Sequence, residues 1–285
     1  MKIAISGASG YIAKNLILEL QAEHHQIIPL KRGVLYHVDQ LARLLADTDV
    51  VINLSGAPIL QRWTGENKDE IYKSRVETTR NMVQAINELP ENKKPVTFLS
   101  ASAIGIYSPG AVHSEESKSF SKDFVGEVVK SWEDASADLS PKVRRVIFRI
   151  GPILGKEAQA IQKLLPVFKM GLGGKIGSGK QPFPFVHIFD VVNALVWGMQ
   201  HDQARGIYNL VAPENIDNKT FTSALARAVK KPAFFTVPEF ALRLAYGEAS
   251  SILMQSPHAK PARLINEGFA FLFPDIKSCL AEITA

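Results

Sequence analysis

The residues with the most distinctive spacing lie close to the N-terminus, in a G-x-x-G-x-x-A pattern that ends at Ala13. The pattern follows a short apolar stretch and precedes a segment with helical periodicity. Gly7 permits a tight turn, Gly10 lets the backbone approach a pyrophosphate, and a small residue at position 13 lets the helix pack closely. The N-terminus of that helix then attracts phosphate. A glycine turn without a ligand is the alternative. The predicted dinucleotide contacts in this turn are Gly7, Ser9, Gly10, Tyr11 and Ile12.

Two cations, Lys31 and Arg32, follow the second apolar stretch. An acidic residue at this place would bind a free ribose 2′-hydroxyl, whereas cations suit a 2′-phosphate. A charge-assisted contact of this kind is worth about 1.5–3 kcal/mol. We therefore predict NADP(H) rather than NAD(H) as the cofactor, with ordinary surface cations as the alternative.

Residues 174–181, Gly-Lys-Ile-Gly-Ser-Gly-Lys-Gln, nearly match the phosphate-loop motif of ATPases and kinases. Gln181 lacks the hydroxyl that would hold Mg²⁺, and the segment follows a helical pattern and precedes Pro182 instead of opening a helix. We therefore reject that reading. We predict a flexible cationic loop over 171–181, either at the edge of a substrate cleft or as plain surface.

Short apolar segments alternate with helical ones through the first half of the chain, and apolar strands are typical of a parallel sheet covered on both faces. Strands are predicted at 2–6, 26–30, 50–54, 96–100, 143–150 and 206–210. Helices are predicted at 13–23, 39–46, 67–89, 124–137, 158–169, 186–200, 220–229, 239–249 and 262–267. The fold class is α/β, a Rossmann-like doubly wound parallel sheet with a smaller, mainly helical C-terminal substrate domain. We place the NADP-binding domain at 1–155, rejoined by about 186–212, and the second domain at 156–185 and 213–285.

The composition is that of an ordinary globular protein. The 285 residues are 46% hydrophobic and 21% charged, with a formal net charge of +5. The cations are scattered, so we expect no nucleic-acid partner, and no apolar run or leader suggests a membrane or secretion. Cys279 is the only cysteine, which favours a reducing, cytoplasmic compartment and no metal site. An unknown small-molecule substrate is expected, and a protein partner or a homodimer is left open.

Several motifs together resemble those of the extended short-chain dehydrogenase/reductases. They include the opening glycine turn, residues 53–59 (Asn-Leu-Ser-Gly-Ala-Pro-Ile), residues 149–155 (Arg-Ile-Gly-Pro-Ile-Leu-Gly) and residues 185–190. Within that group the chain resembles the atypical branch labelled epimerase family protein, including its small C-terminal domain. The resemblance implies NADP(H) binding. It places Leu54, Ser55, Gly56 and Ala57 along the cofactor ribose and phosphates, and Arg149, Gly151 and Ile153 near the nicotinamide. The stretch between residues 32 and 49 is shorter than in the family pattern, which affects the adenine pocket.

The wider superfamily uses a Ser, a Tyr and a Lys, the last two in a Y-x-x-x-K pair. Ser102 matches the serine, but no Y-x-x-x-K occurs, and Val125 and Val129 stand where the pair is expected. Tyr107 and His187 are candidate proton donors, although a packed tyrosine and a structural histidine are the alternatives. A second proposed pair, Glu127 and Lys130, is also typical of a solvated helix face.

These residues support two functions. The first is an NADP(H)-dependent oxidoreductase or epimerase that acts on a small carbonyl or sugar-like substrate. The second is a non-catalytic NADP(H)-sensing module. The missing Tyr-Lys pair favours the second function, whereas the retained Ser102 and the complete second domain favour the first.

Overall fold

The computed structural model describes residues 1–285 as twelve strands and twelve α-helices. The strands are β1 (Lys2–Ser6), β2 (Gln26–Leu30), β3 (Val50–Asn53), β4 (Thr97–Ala103), β5 (Val112–His113), β6 (Arg144–Ile150), β7 (Ile153–Leu154), β8 (Gly174–Ile176), β9 (Val186–His187), β10 (Gly206–Leu210), β11 (Phe235–Val237) and β12 (His258–Ala259). The helices are α1 (Tyr11–Ala22), α2 (Val38–Leu45), α3 (Gly65–Lys73), α4 (Val76–Glu88), α5 (Phe124–Asp134), α6 (Gln159–Lys169), α7 (Ile188–Gln200), α8 (Asn218–Ala228), α9 (Glu239–Tyr246), α10 (Ser251–Met254), α11 (Ala262–Asn266) and α12 (Ile276–Thr284).

Six strands form one parallel sheet in the order β10-β6-β4-β3-β1-β2. The β1 side chains alternate between two cores. Ile3 and Ile5 pack with α1 and α7, whereas Ala4 packs with α2 and α4 on the other face. Because both faces are covered, β3 is buried along its whole length, as the apolar runs predicted. The Rossmann-like fold class is confirmed.

The long helix predicted over 67–89 is wrong, because the chain breaks at Ser74 and Arg75 into α3 and α4. Both residues at the break bind the same loop. The Ala57 N–H donates to Ser74 Oγ at 2.9 Å, and Arg75 Nη2 donates to the Ala57 carbonyl at 2.9 Å. Burial lowers the pKa of Arg75 to about 10. The break therefore serves to anchor a loop beside the sheet, which helical periodicity alone does not reveal.

The segment 171–181 is not a loop throughout. Its residues Gly174–Ile176 form β8, which pairs in parallel with β11. The helix expected over 239–249 also ends earlier, at Tyr246, because Gly247 takes a φ of +61°. With a ψ of −135°, this backbone conformation favours glycine and does not continue the helix.

A separate apolar cluster unites helices α6, α8 and α12 with residues after the sheet. Its buried members include Leu154, Ile161, Phe168, Phe185, Phe221, Leu225, Cys279 and Leu280. Helix α12 therefore packs on α6 and α8 and not on the sheet. None of the helices has the length and apolar character needed to cross a membrane.

Candidate functional site

The predicted glycine turn joins β1 to α1. Gly7 has a φ of +68°, and a Cβ built there would lie 2.5 Å from the Leu54 carbonyl oxygen. The Gly10 N–H donates to the Gly7 carbonyl at 2.8 Å, and no side chain caps the start of α1. Only glycine at position 7 allows the turn to approach the loop after β3 this closely.

Buried polar side chains at the ends of β1 and β3 hold that loop. Ser6 Oγ donates to Asn53 Oδ1 at 2.7 Å and accepts from the N–H groups of Leu54 and Ser55 at 3.1 and 3.2 Å. Ser55 Oγ also donates to Asn53 Oδ1 at 2.8 Å. Asn53 Nδ2 in turn donates to Thr79 Oγ1 on α4 at 2.7 Å. The loop therefore has a defined position relative to the glycine turn.

Between these two loops lies a cleft of about 480 Å³. Of the residues predicted from the sequence, it is lined by Gly7, Ser9, Lys31, Arg32, Ser55, Gly56 and Ala57. Its other lining residues are Ala8, Pro29, Leu30, Leu35, Tyr36, Pro58, Glu70, Ser74 and Thr78. The remaining predicted cofactor contacts, Leu54, Gly10, Tyr11, Ile12, Arg149, Gly151 and Ile153, are not part of its lining.

The cation end of the cleft also carries an acid. Arg32 Nη2 donates to Glu70 Oε1 at 2.5 Å. The hydrogen bond and charge of Glu70 raise the pKa of Arg32 above its usual value. Both side chains are substantially exposed, at 70% for Arg32 and 40% for Glu70. Arg32 is thus already paired in a cleft where the sequence predicted a cation free to bind phosphate.

A second cleft, of about 510 Å³, lies between α4 and α5. Its lining includes Tyr72, Arg80, Asn87 and Asp134 and none of the site residues predicted from the sequence. The cleft at the glycine turn is therefore the candidate cofactor site.

Three polar residues form a row across neighbouring strands at their carboxyl ends. Ser102 on β4 pairs in register with Arg149 on β6, which pairs with Asn209 on β10. Glu133 on α5 meets this row: Ser102 Oγ donates to Glu133 Oε1 at 2.6 Å, and Arg149 Nε donates to the same oxygen at 2.7 Å. Ligands of open α/β sheets bind outside this edge of the sheet.

Tyr107 joins the same network from the segment after β4. Its hydroxyl accepts from Arg149 Nη1 at 2.7 Å and lies 2.8 Å from Asn209 Oδ1 and 3.1 Å from the Ser114 carbonyl. The ring stacks on His113, with centroids 4.7 Å apart. Burial is the main reason why the pKa of Tyr107 is raised above its usual value. Tyr107 is 1% exposed, so its hydroxyl faces protein groups and not solvent.

The positions of the missing Tyr-Lys pair are filled by apolar side chains that pack in the interior. A Cβ at Gly105 would lie 2.7 Å from Val125 Cγ1, and Val129 is 4% exposed in a cluster that contains Tyr107. The other suggested pair does not form an ion pair, because Lys130 binds Asp134 at 2.6 Å and not Glu127. Two carboxylates reach the row of strand residues: Glu133 binds Ser102 and Arg149, and Glu115 Oε1 accepts from the Asn209 N–H at 3.0 Å.

His187 lies in a different network from Ser102 and Tyr107. Its Nδ1 accepts from the Phe189 N–H at 3.3 Å at the start of α7, and its Nε2 lies 3.1 Å from Glu282 Oε2 on α12. The side chain is fully buried. Its ring centroid lies 4.0 Å from that of Phe273. The structure therefore gives His187 a helix-capping position between the sheet and the C-terminal helix.

Tyr11, in the first turn of α1, lies near Glu282, which also contacts His187. A Cβ at Gly155 would meet the Tyr11 hydroxyl at 2.2 Å, so the phenol lies against this glycine. Burial, together with the charges of Glu157 and Glu282, raises the pKa of Tyr11 to about 12. Gly151 has equally little room, because a Cβ would lie 2.2 Å from the Pro184 carbonyl. These close contacts explain why small residues recur after β6.

Sequence reasoning assigned no role to several polar residues of the site: Ser6, Asn53, Glu70, Glu133 and Asn209. One signal was available for Glu133, since Arg149 interrupts the apolar run 146–150 in the second half of β6 and a buried cation needs a partner. Ser6 and Asn53 also end apolar strands. Glu70 carried no signal, because it lies on a polar helix far along the chain from Arg32.

Family sequence models match most of the chain. That of the NAD dependent epimerase/dehydratase family matches residues 3–210. This chain belongs to that family. A second model, a domain of unknown function called DUF1731, matches residues 237–283. The family resemblance stated from the sequence motifs is confirmed.

Relatives within the family match along nearly their whole length. Epimerase family protein YfhF of Bacillus subtilis is 30% identical over 100% of this chain and 98% of its own. A chloroplastic SDR39U1 homolog of Arabidopsis thaliana is 31% identical over 99% of this chain and 86% of its own. The crystal structure of human epimerase family protein SDR39U1 with NADPH has a TM-score of 0.93 at 29% identity, covering 100% of this chain and 99% of that one.

Proposed function

We propose that this chain binds NADP(H) in the cleft between the glycine turn and the Ser55–Ala57 loop. One observation carries the proposal: a single cleft of about 480 Å³ unites Gly7, the loop after β3 and the pair Lys31 and Arg32. The similar human protein crystallised with NADPH supports it.

We propose that the residues follow the parts of the cofactor in order along the chain's site. The pyrophosphate would lie on the turn from Gly7 to Gly10, where the uncapped start of α1 offers N–H groups. The 2′-phosphate would lie at Lys31 and Arg32. In the proposed arrangement Leu54, Ser55, Gly56 and Ala57 follow the ribose and phosphates, and Arg149, Gly151 and Ile153 lie toward the nicotinamide, with Ser9, Tyr11 and Ile12 supporting the turn.

We further propose an oxidoreductase or epimerase that acts on a small carbonyl or sugar-like substrate. When bound, the cofactor supplies or accepts a hydride. Ser102 orients the substrate oxygen, since Glu133 holds its hydroxyl at 2.6 Å at the carboxyl edge of the sheet. Tyr107 remains the proposed proton donor in that network. His187, in its separate network, is a weaker candidate because its side chain is fully buried.

One observation favours a second candidate, a non-catalytic NADP(H)-sensing module. Ser102 is 4% exposed and Tyr107 1% exposed, and both hydroxyls already bind protein groups. General acid–base catalysis contributes about 10²- to 10⁴-fold to a rate. Without a solvent-facing proton donor, carbonyl reduction should therefore be slow.

Calorimetric titration tests the binding proposal. We expect wild-type protein to bind NADPH more tightly than NADH, because Arg32 and Lys31 favour the 2′-phosphate. Arg32→Asp should reverse that order. Equal affinities for the two cofactors, or an order that Arg32→Asp leaves unchanged, would overturn the assignment of these cations.

An NADPH-oxidation screen against aldehydes, ketones and sugar nucleotides separates the two candidates. Turnover that Ser102→Ala abolishes, with NADPH affinity retained, supports the enzyme. Fast turnover that survives Ser102→Ala would place the active site elsewhere. Tight NADPH binding without turnover on any compound would support the sensing module.

The domain division is also a proposal, with an NADP-binding domain at 1–155 and 186–212 and a smaller domain formed by 156–185 and 213–285. The separate apolar cluster of α6, α8 and α12 supports it. A cytoplasmic location and a small-molecule substrate are likewise proposed from the sequence.

A further inference from the structure

The cleft carries opposite charges at the end where the 2′-phosphate is proposed to bind. Glu70 lines it together with Lys31 and Arg32, and its carboxylate accepts a hydrogen bond of 2.5 Å from Arg32 Nη2. No acidic residue was expected here, because the two charged residues that follow β2 directly are both cations. Glu70 belongs to α3 and lies nearly forty residues after Arg32 in the chain.

The position of Glu70 is fixed by the same contacts that fix the cofactor loop. It lies in the last turn of α3, immediately before the break at Ser74 and Arg75. Both residues at that break bind the backbone of Ala57, which itself lines the cleft. Glu70 is thereby held at the cleft by its helix and does not depend on Arg32 for its place.

We propose that Glu70 is a specificity-determining residue that limits the preference of the cleft for NADPH over NADH. This inference rests on the proposed NADP(H) binding. A 2′-phosphate has a charge of about −1.5 to −2 near neutral pH. It must compete with Glu70 for Arg32, and the negative charge of Glu70 repels it. NADH has no phosphate there and is not subject to this competition.

The alternative role of Glu70 is only to tether α3 to the segment after β2. Arg32 and Glu70 are 70% and 40% exposed, and exposed pairs contribute little to stability. A tether would change both cofactors' affinities together. Competition for Arg32 changes their ratio, so the ratio is the measurement that separates the two roles.

The experiment measures the dissociation constants of NADPH, NADH and 2′,5′-ADP by calorimetry for wild-type protein and Glu70→Gln. At surface dielectric values, removing one like charge a few ångströms from a phosphate should tighten NADPH and 2′,5′-ADP about fivefold to tenfold. NADH should change less than about twofold by the same argument. The gain in NADPH affinity should be smaller in an Arg32→Gln background, because the competition acts through that guanidinium.

Glu66→Gln is the matched control. It removes the same charge from the same helix at an exposed position that does not line the cleft. An NADPH-to-NADH ratio that shifts in Glu70→Gln but not in Glu66→Gln supports the inference. Tight NADPH binding with the same ratio in all three proteins overturns the role of Glu70 alone. Failure of wild-type protein to bind NADPH overturns the proposed function together with this inference.

Discussion

Glu133 on α5 and Arg149 on β6 form a buried, two-pronged ion pair. Arg149 Nε lies 2.7 Å from Glu133 Oε1, and Arg149 Nη2 lies 2.6 Å from Glu133 Oε2. The Arg149 side chain is 3% exposed and the Glu133 side chain 10% exposed. Each partner also holds one hydroxyl, Ser102 on the glutamate and Tyr107 on the arginine. The placement of both hydroxyls therefore depends on one ion pair between a helix and the sheet.

Replacing Glu133 by Gln should strongly destabilise the protein. The substitution leaves the Arg149 guanidinium buried without its counter-charge, and breaking such a pair from one side costs about 3–5 kcal/mol. Urea unfolding followed by circular dichroism measures the free energy of unfolding. Lys130→Gln is the control, since it removes the exposed pair with Asp134 on the same helix and should leave stability essentially unchanged. Equal effects of the two substitutions would mean that the buried pair is not a main support of this site.

Gly7→Ala should weaken both stability and NADPH binding. Position 7 has a φ of +68°, and the added methyl group would lie 2.5 Å from the Leu54 carbonyl oxygen. Backbone strain of this kind costs about 1–3 kcal/mol, and the loop must also shift away from the turn. Gly33→Ala is the control because a Cβ there meets nothing within 4 Å. Thermal unfolding and cofactor titration of both variants measure the effects, and an unaffected Gly7→Ala protein would show that the close approach is unnecessary.

Much of the fold followed from local patterns. The central strands were predicted close to their observed bounds because strands buried on both faces must be apolar throughout, as in β3. The break between α3 and α4 could not be predicted in this way. Ser74 and Arg75 suit a helix as well as a break, and their bonds to Ala57 depend on a loop that is distant in sequence.

The candidate site was predictable where a motif is local. The Gly7 turn and the cations after β2 lie within one short stretch, and they do line a common cleft. Glu133 and Glu70 come from helices elsewhere in the chain, and only the packing of α5 and α3 brings them to Arg149 and Arg32. Charge pairs across elements depend on this packing, and a single sequence offers no periodicity from which to infer it.

Cys279 should be unreactive in the folded protein. Its side chain is fully buried on α12, and burial raises the pKa of the thiol well above its usual range, so almost no thiolate is available. A disulfide-forming dye should label it at least about 100-fold more slowly than in the urea-unfolded chain. As the only cysteine it reports on the C-terminal cluster alone. Rapid labelling under native conditions would show that α12 detaches readily from α6 and α8.

The buried His187 should make stability depend on pH. Burial lowers the pKa of its imidazole below the usual value, and the hydrogen bond and charge of Glu282 offset part of that shift. The unfolded chain therefore takes up a proton at this residue at higher pH than the folded chain. The free energy of unfolding should fall as the pH is lowered through about 6.5, by at most about 1.4 kcal/mol per pH unit from this group.

Comparing His187→Asn with wild-type protein isolates that contribution. Asn keeps an acceptor for the Phe189 N–H but cannot titrate. The free energy of unfolding of this variant should therefore decline less than that of the wild-type protein between about pH 7 and pH 5, where histidine changes charge. Urea unfolding at several pH values measures the two slopes. His37→Asn removes an exposed histidine and should keep the wild-type slope. If His187→Asn also keeps the wild-type slope, the acid sensitivity arises from other residues. In that case protonation of His187 does not affect the packing of α12 through the contact with Glu282.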